Sequence, residues 1–153
     1  MMKVHLFYTL IIKNRGRLYD IGDDKCNEDE WDYYTIGGRY ANLLPISKKC
    51  KMYHQDLSPI WVWDTENYHG NANLHFVNIA RLRNIDRTEL LRMDAAGCIN
   101  PFQPYVIIVE QLDGTLKEMK PEDMSPIEET WLRNYLNDPR VQSYYAVLLD
   151  VHV

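Results

Sequence analysis

Both ends of the chain are apolar on both faces of a β-strand, and no other feature constrains the fold as much. Residues 3–12 alternate between two sets of side chains, and both sets are largely apolar. Residues 144–153 have the same character. A strand that is apolar on both faces is covered by other elements on both sides. We therefore predict two central strands, one from each end of the chain, lying beside each other in one sheet.

Residues 105–119 predict a β-hairpin. Tyr105–Leu112 is an apolar stretch rich in valine and isoleucine, Asp113-Gly114 follows it, and residues 115–119 supply a second short strand. Asp-Gly can adopt the positive φ angles that a type I′ turn requires. The predicted turn is therefore a two-residue one at Asp113-Gly114.

Two helices are predicted from their first turns. Ser125-Pro126-Ile127-Glu128 places a hydroxyl at the N-cap, proline at the first helical position and glutamate at the third, and the helix is expected to run to about Asn137. The second helix begins at Asp86, which can cap it, and ends before Gly97.

These elements predict one α+β domain over residues 1–153, with an antiparallel sheet covered on one face by two helices, as in a ferredoxin-like or related two-layer sandwich.

Residues 14–30 are polar and acidic, and we expect an exposed loop there. We expect irregular structure over residues 45–75, apart from a short strand at 61–63 and a turn-rich loop at 67–73.

Composition excludes several classes of protein. The net charge is −5, which disfavours binding to an extended nucleic acid, since such binding needs a basic surface. The longest apolar run is far shorter than a membrane span, and the N-terminus lacks a signal-peptide pattern. The three cysteines are widely spaced and fit reduced thiols. We expect a cytoplasmic protein without a cofactor.

Residues 31–40 form the most distinctive segment, WDYYTIGGRY, which is called the motif below. Two adjacent glycines allow close approach of a ligand to the backbone, and a guanidinium can hold a phosphate or carboxylate. The candidate ligand-binding residues are Trp31, Asp32, Tyr34, Gly37, Gly38, Arg39 and Tyr40. A purely structural interpretation is also open, in which the glycines form a tight turn, Arg39 pairs with Asp32 and the aromatic rings fill the core.

The end of the chain offers a weak catalytic candidate. Asp150 and His152 lie two positions apart on a predicted strand and hence on one face, where they could act as an oriented general base. The histidines show no spacing typical of a metal site, so no metal is predicted.

The chain resembles a family of small uncharacterised proteins from bacteriophages and from bacteria with mobile elements. The resemblance rests on the motif, similar to WDWYxIGGRW, on Asn78–Asp86, similar to NxARxxxID, and on residues 149–153, similar to VDCHI. Tyr33 and Tyr40 stand where tryptophan is usual, and Val151 stands where the family has cysteine. The resemblance implies an accessory role in phage biology, and no reaction is established for the family.

Three functional hypotheses follow. The first is a binding protein that counters host defence by binding a defence protein or by sequestering a small nucleotide-like signal, with the motif as its site. The second is a small enzyme acting on a phosphate-bearing substrate, in which Asp150 orients His152 and Arg39 holds the charged group; it requires the end of the last strand to lie beside the Gly37-Gly38 turn. The third is an oligomeric interaction or structural protein with aromatic side chains at its interfaces.

Overall fold

The computed structural model describes residues 4–47, 49–61 and 74–153. These residues form three α-helices, α1 to α3: Arg15–Asn27, Arg87–Ala95 and Pro126–Leu136. They also form ten strands, β1 to β10: His5–Ile12, Tyr33–Ile36, Leu44–Ser47, Lys51–Tyr53, Pro59–Trp61, Leu74–Val77, Ile79–Arg81, Val106–Glu110, Leu116–Met119 and Tyr145–His152. Short 3-10 turns occupy Gly38–Tyr40, Leu82–Asn84, Pro121–Asp123 and Pro139–Val141.

The main sheet has the order β2-β10-β1-β8-β9, and β7 pairs with the first half of β10 while β2 pairs with its second half. Neighbours are antiparallel except β1 and β8, which run parallel. The α+β prediction is confirmed, and the sheet is mixed instead of wholly antiparallel. With residues 33–95 set aside, the elements along the chain follow the series β-α-β-β-α-β of the ferredoxin-like motif, but α1 and α3 lie on opposite faces of the sheet.

The two terminal strands lie at the centre of this sheet, as their composition predicts. β1 and β10 pair antiparallel over eight residues, from His5 opposite His152 to Ile12 opposite Tyr145. Every residue from Phe7 to Ile12 is buried, and so is every residue from Ala146 to Val151. Full burial of one large aliphatic side chain contributes about 1.5–3 kcal/mol, so the burial of this pair contributes strongly to the stability of the fold.

The sheet separates two apolar clusters. On one face the strands pack against α2 and α3 through Leu90, Leu132 and Leu136, which confirms the prediction of two helices on one face. On the other face they pack against α1 through Leu18 and Ile21. The core therefore extends on both sides of the sheet, and the fold has three layers where the sequence predicted a two-layer sandwich.

The helix α1 corrects the expectation of a loop at residues 14–30. Asn14 caps it by accepting from the Arg17 N–H, and only Leu18, Ile21 and Gly22 are buried. Such a short apolar stripe among polar residues gives a weak periodic signal. Packing against the sheet stabilises a helix of this kind more than its own propensity does.

The hairpin is confirmed, but its turn is not the predicted type. Of the Asp113-Gly114 pair only Gly114 has a positive φ, and the Gly114 N–H donates to the carbonyl of Gln111. Gln111 and Thr115 then close the loop, which makes it a three-residue connection with glycine at the left-handed position.

Residues 45–75 contain more regular structure than expected. β3 pairs with β6, and β4 pairs with β5, each in a small two-stranded sheet. The predicted strand at 61–63 is represented by the end of β5, while residues 62–63 and 67–73 lie outside the described residues. No described helix is both long enough and apolar enough to cross a bilayer.

Candidate functional site

The motif lies at one corner of the main sheet, where β1 begins and β10 ends. β2 pairs with the end of β10, so that Tyr33 is opposite His152 and Thr35 is opposite Asp150. On the other side of β10, His5 of β1 is also opposite His152. This corner therefore joins the first strand, the motif and the last strand.

The Gly37-Gly38 turn closes around a carboxylate. Gly38 has a φ of 53°, in the left-handed region that disfavours side chains. A Cβ at Gly38 would lie 2.5 Å from Asp150 Oδ2. The Arg39 backbone N–H donates to the same oxygen at 2.9 Å. The space next to this glycine is thus filled by Asp150.

Gly37 has the same kind of relation to Asn78, the first residue of the second stretch in the family resemblance. Its φ is 78°, and a Cβ there would lie 2.7 Å from Asn78 Nδ2. The Asn78 side-chain oxygen accepts from the Asn42 N–H at 2.5 Å, and its backbone carbonyl accepts from the Leu148 N–H. Asn78 therefore connects the segment that follows the Gly-Gly turn to β10.

Two histidine–carboxylate pairs lie side by side at this corner. His5 Nδ1 is 2.7 Å from Asp150 Oδ1, and His152 Nδ1 is 3.2 Å from Asp32 Oδ2. The two imidazole rings meet edge to face, with centroids 4.9 Å apart. The first pair is the more enclosed, since the Asp150 side chain is 7% exposed and that of Asp32 is 47% exposed.

Two tyrosines of the motif extend this arrangement. The Tyr33 ring stacks on the His152 ring, with centroids 4.6 Å apart and planes 8° from parallel, and Tyr33 is 50% exposed. Tyr40 stacks on Phe7 and donates from its hydroxyl to the His5 carbonyl at 3.1 Å. Tyr40 therefore stabilises the start of β1, while half of the Tyr33 side chain remains exposed to solvent.

The sheet divides the predicted ligand-binding residues between its two faces. Trp31 is buried and meets Tyr8 and Tyr34 edge to face, in the cluster under α1. Burial raises the pKa of the Tyr34 phenol, and Asp23 adds to this effect. Asp32 and Tyr40 contact the histidine side instead. Trp31 and Tyr34 are therefore core residues rather than neighbours of Asp32, Arg39 and Tyr40 in one site.

The structural interpretation expected Arg39 to pair with Asp32. The structure does not contain this pair, and the Asp32 carboxylate is instead bonded to His152. The Arg39 backbone is held by Asp150, but the Arg39 side chain is exposed and makes no hydrogen bond or ion pair with any described residue. The guanidinium is thus available to a ligand.

The catalytic candidates are close together but are paired differently from the prediction. Asp150 orients His5, and His152 is oriented by Asp32. The requirement that the end of β10 lie beside the Gly-Gly turn is fulfilled, since Asp150 contacts Gly38 and the Arg39 N–H. An imidazole held by a carboxylate at Nδ1 keeps Nε2 for proton transfer or for hydrogen bonding to an anion.

Three residues of this corner escaped the sequence analysis: His5, Tyr33 and Asn78. His5 precedes an apolar run, and only the pairing of β1 with β10 places it opposite His152. That pairing was predicted without its register, and the register is what would have identified His5.

Two clefts of about 430 Å³ occur elsewhere, one beside Trp131 and Asp113 and the other between α2 and α3. Within the described ranges no group of three histidine, cysteine or acidic side chains has the arrangement of a metal site.

The comparisons with known proteins found no match: no family model, no curated protein and no solved structure resembles the chain significantly.

Proposed function

We propose that this protein is a non-enzymatic binding protein of the accessory kind that phages carry, and that it takes up a small, phosphate-bearing ligand of nucleotide type. The ligand lies on the corner face, which we define as the surface of His5, Tyr33, Arg39 and His152. Such a protein acts against host defence by sequestering a nucleotide signal or by binding the defence protein that uses it.

The observation that carries this proposal is the half-exposed Tyr33 ring stacked on His152, together with the exposed side chain of Arg39, whose backbone N–H binds Asp150 on the same strand as His152. A planar base can continue this stack, and stacking on an aromatic ring contributes about 1–3 kcal/mol per base. A guanidinium offers a planar fork for phosphate. The two contacts together match the two ends of a nucleotide.

Native mass spectrometry of the protein purified from a host-cell extract tests the proposal, by comparing wild type with Arg39→Ala and Tyr33→Ala. We expect a co-purifying small molecule in wild type that both variants lose while remaining folded. Arg83→Ala and Tyr19→Ala are matched controls, because both side chains are exposed elsewhere. Full retention of the molecule by a folded Arg39→Ala variant would show that the corner face is not its site.

A second function is favoured by the two carboxylate-bound imidazoles, which is the arrangement of a general acid and a general base. In a phosphodiester substrate, water would attack phosphorus while one imidazole accepts its proton, and the bond to the leaving alcohol would break as the other imidazole donates a proton to that oxygen. Asp32 and Asp150 would keep each ring oriented.

Product analysis separates this enzyme from the binding protein. Wild type is incubated with bis(p-nitrophenyl) phosphate and with any co-purified ligand, beside His152→Asn, His5→Asn and the control His54→Asn, whose histidine is exposed elsewhere. Turnover that both site variants lose and the control retains supports the enzyme. Binding without product in wild type supports the binding protein.

A further inference from the structure

A cleft of about 430 Å³ separates α2 from α3 and is bordered by the segment at 100–103. It lies far along the chain from the motif and contains none of the corner-face residues. Leu91, Phe102, Met124, Leu132 and Leu136 supply its apolar lining, and Arg87, Arg133 and Glu129 supply its charges.

Arg87 is a partly buried cation that lines this cleft. Its Nη2 donates to the carbonyl of Leu136 at the end of α3, and its guanidinium lies 5.6 Å from the centroid of the Phe102 ring. Its Nε is buried and has no hydrogen-bond partner among the described residues. Burial lowers the pKa of Arg87, and no described carboxylate pairs with it.

A half-buried cation without an acidic partner is costly, because it has lost water without gaining an opposite charge. The Leu136 carbonyl, at the negative end of a helix, compensates only part of this cost. The Nε atom is closed to solvent, so the donor open to a ligand is the Nη1 group, which has no hydrogen-bond partner among the described residues.

We infer that this cleft binds a small carboxylate with an apolar body, and that Arg87 donates hydrogen bonds to its carboxylate group. One net positive charge, from two arginines and one glutamate, suits a single negative charge better than a doubly charged phosphate. Phe102 and the aliphatic side chains form the surface on which an apolar body packs. The cleft shares no residue with the corner face, so an experiment that refutes one of the two proposals leaves the other unaffected.

Sodium octanoate is the probe for this site, because it combines one carboxylate with an unbranched apolar chain. Titration of the full-length protein is followed by amide chemical shifts in ¹H–¹⁵N NMR spectra. We expect saturable shifts centred on Leu91, Phe102 and Leu136, and no such shifts with octylammonium, which has the same chain and the opposite charge.

Two variants connect the binding to Arg87. Arg87→Met keeps the unbranched apolar part of the side chain without the guanidinium, and it should weaken octanoate binding about ten- to a hundred-fold, since a hydrogen bond to a charged group contributes about 1.5–3 kcal/mol. Arg83→Met is the matched control and should bind as wild type does. If Arg87→Met does not fold, Leu91→Glu places a negative charge on a side chain that is 72% exposed at the cleft and should abolish binding.

Three results would overturn the inference. These are an absence of saturable shifts in wild type, equal affinity for octanoate and octylammonium, and undiminished octanoate binding by a folded Arg87→Met or Leu91→Glu variant.

Discussion

Replacing Gly38 by alanine tests the packing of the Gly-Gly turn around Asp150. Gly38 has a φ of 53°, and a Cβ there would lie 2.5 Å from Asp150 Oδ2 and 2.6 Å from Asp150 Cβ. Asp150 is held on its other oxygen by His5, and it is buried, so it cannot swing into solvent. The backbone at Gly38, or the carboxylate, must shift.

Gly114→Ala is the matched control for this substitution. Gly114 has a φ of 87°, also in the left-handed region, but a Cβ there would meet nothing within 4 Å. The strain of a left-handed alanine, about 1–2 kcal/mol, is therefore shared by both variants. The effect of the substitution on the unfolded chain is also shared. What differs is the clash with Asp150.

Overpacking of a well-packed site costs about 1–3 kcal/mol. We therefore expect Gly114→Ala to lower the free energy of unfolding by about 1 kcal/mol and Gly38→Ala to lower it by about 3 kcal/mol. Urea denaturation followed by tryptophan fluorescence measures both, and for a slope of about 2 kcal/mol per molar urea the two midpoints differ by about 1 M.

Equal destabilisation by the two variants, within about 0.5 kcal/mol, would refute the packing of Gly38 against Asp150. Gly97→Ala gives a second control, since its φ is 81° and its Cβ would also meet open space. A Gly97→Ala variant as unstable as Gly38→Ala would show that backbone strain alone accounts for the loss.

Three further predictions follow from other parts of the fold. A change from glycine to alanine within a helix ordinarily stabilises a protein, but Gly22→Ala should lower the free energy of unfolding by about 1–3 kcal/mol, because the added Cβ overlaps the Tyr34 ring. Urea denaturation measures this change. Ser125→Ala should cost about 1 kcal/mol in the same assay by removing the N-cap of α3. Arg140 lowers the pKa of Asp138 to about 2, so NMR should show the Asp138 carboxyl titrating at that pH in wild type and at a higher pH in Arg140→Ala. The ion pair contributes its full stabilisation above the ordinary carboxyl pKa range, and this contribution is lost as the pH falls toward 2.

Each of these has its own control. Gly16→Ala lies in the same helix, and its Cβ would meet only Asn14 Oδ1 at 3.1 Å, so it should cost less than Gly22→Ala. Ser125→Thr keeps the capping hydroxyl and should retain most of the stability. A midpoint for Asp138 near 3.8, unchanged in Arg140→Ala, would contradict the ion pair.

The features that the sequence predicted correctly are those whose signal is local. The apolar character of residues 3–12 and 144–153 marks central strands because burial on both faces requires apolar side chains at every position. The caps Ser125 and Asp86 mark helix starts because they satisfy backbone donors within the first turn, and both accept as expected, from the N–H groups of Glu128 and Glu89.

The features that it missed depend on contacts between distant segments. The helix α1 has a short apolar stripe and two glycines, and its stability comes from the sheet and from Tyr34, which packs against Gly22. The Asp113-Gly114 turn was assigned by its dipeptide, whereas the closing bonds between Gln111 and Thr115 select a longer loop.

The corner face shows this division most clearly. The sequence by itself determined that β1 and β10 lie at the centre of the sheet and that Gly37-Gly38 forms a turn. It suggested that Asp150 orients His152, because the two lie two positions apart on one strand. The fold instead pairs His5 with Asp150 across 145 positions and His152 with Asp32 across 120. Only the register of β10 between β1 and β2 decides these pairs, since a shift of one residue would turn every side chain to the opposite face.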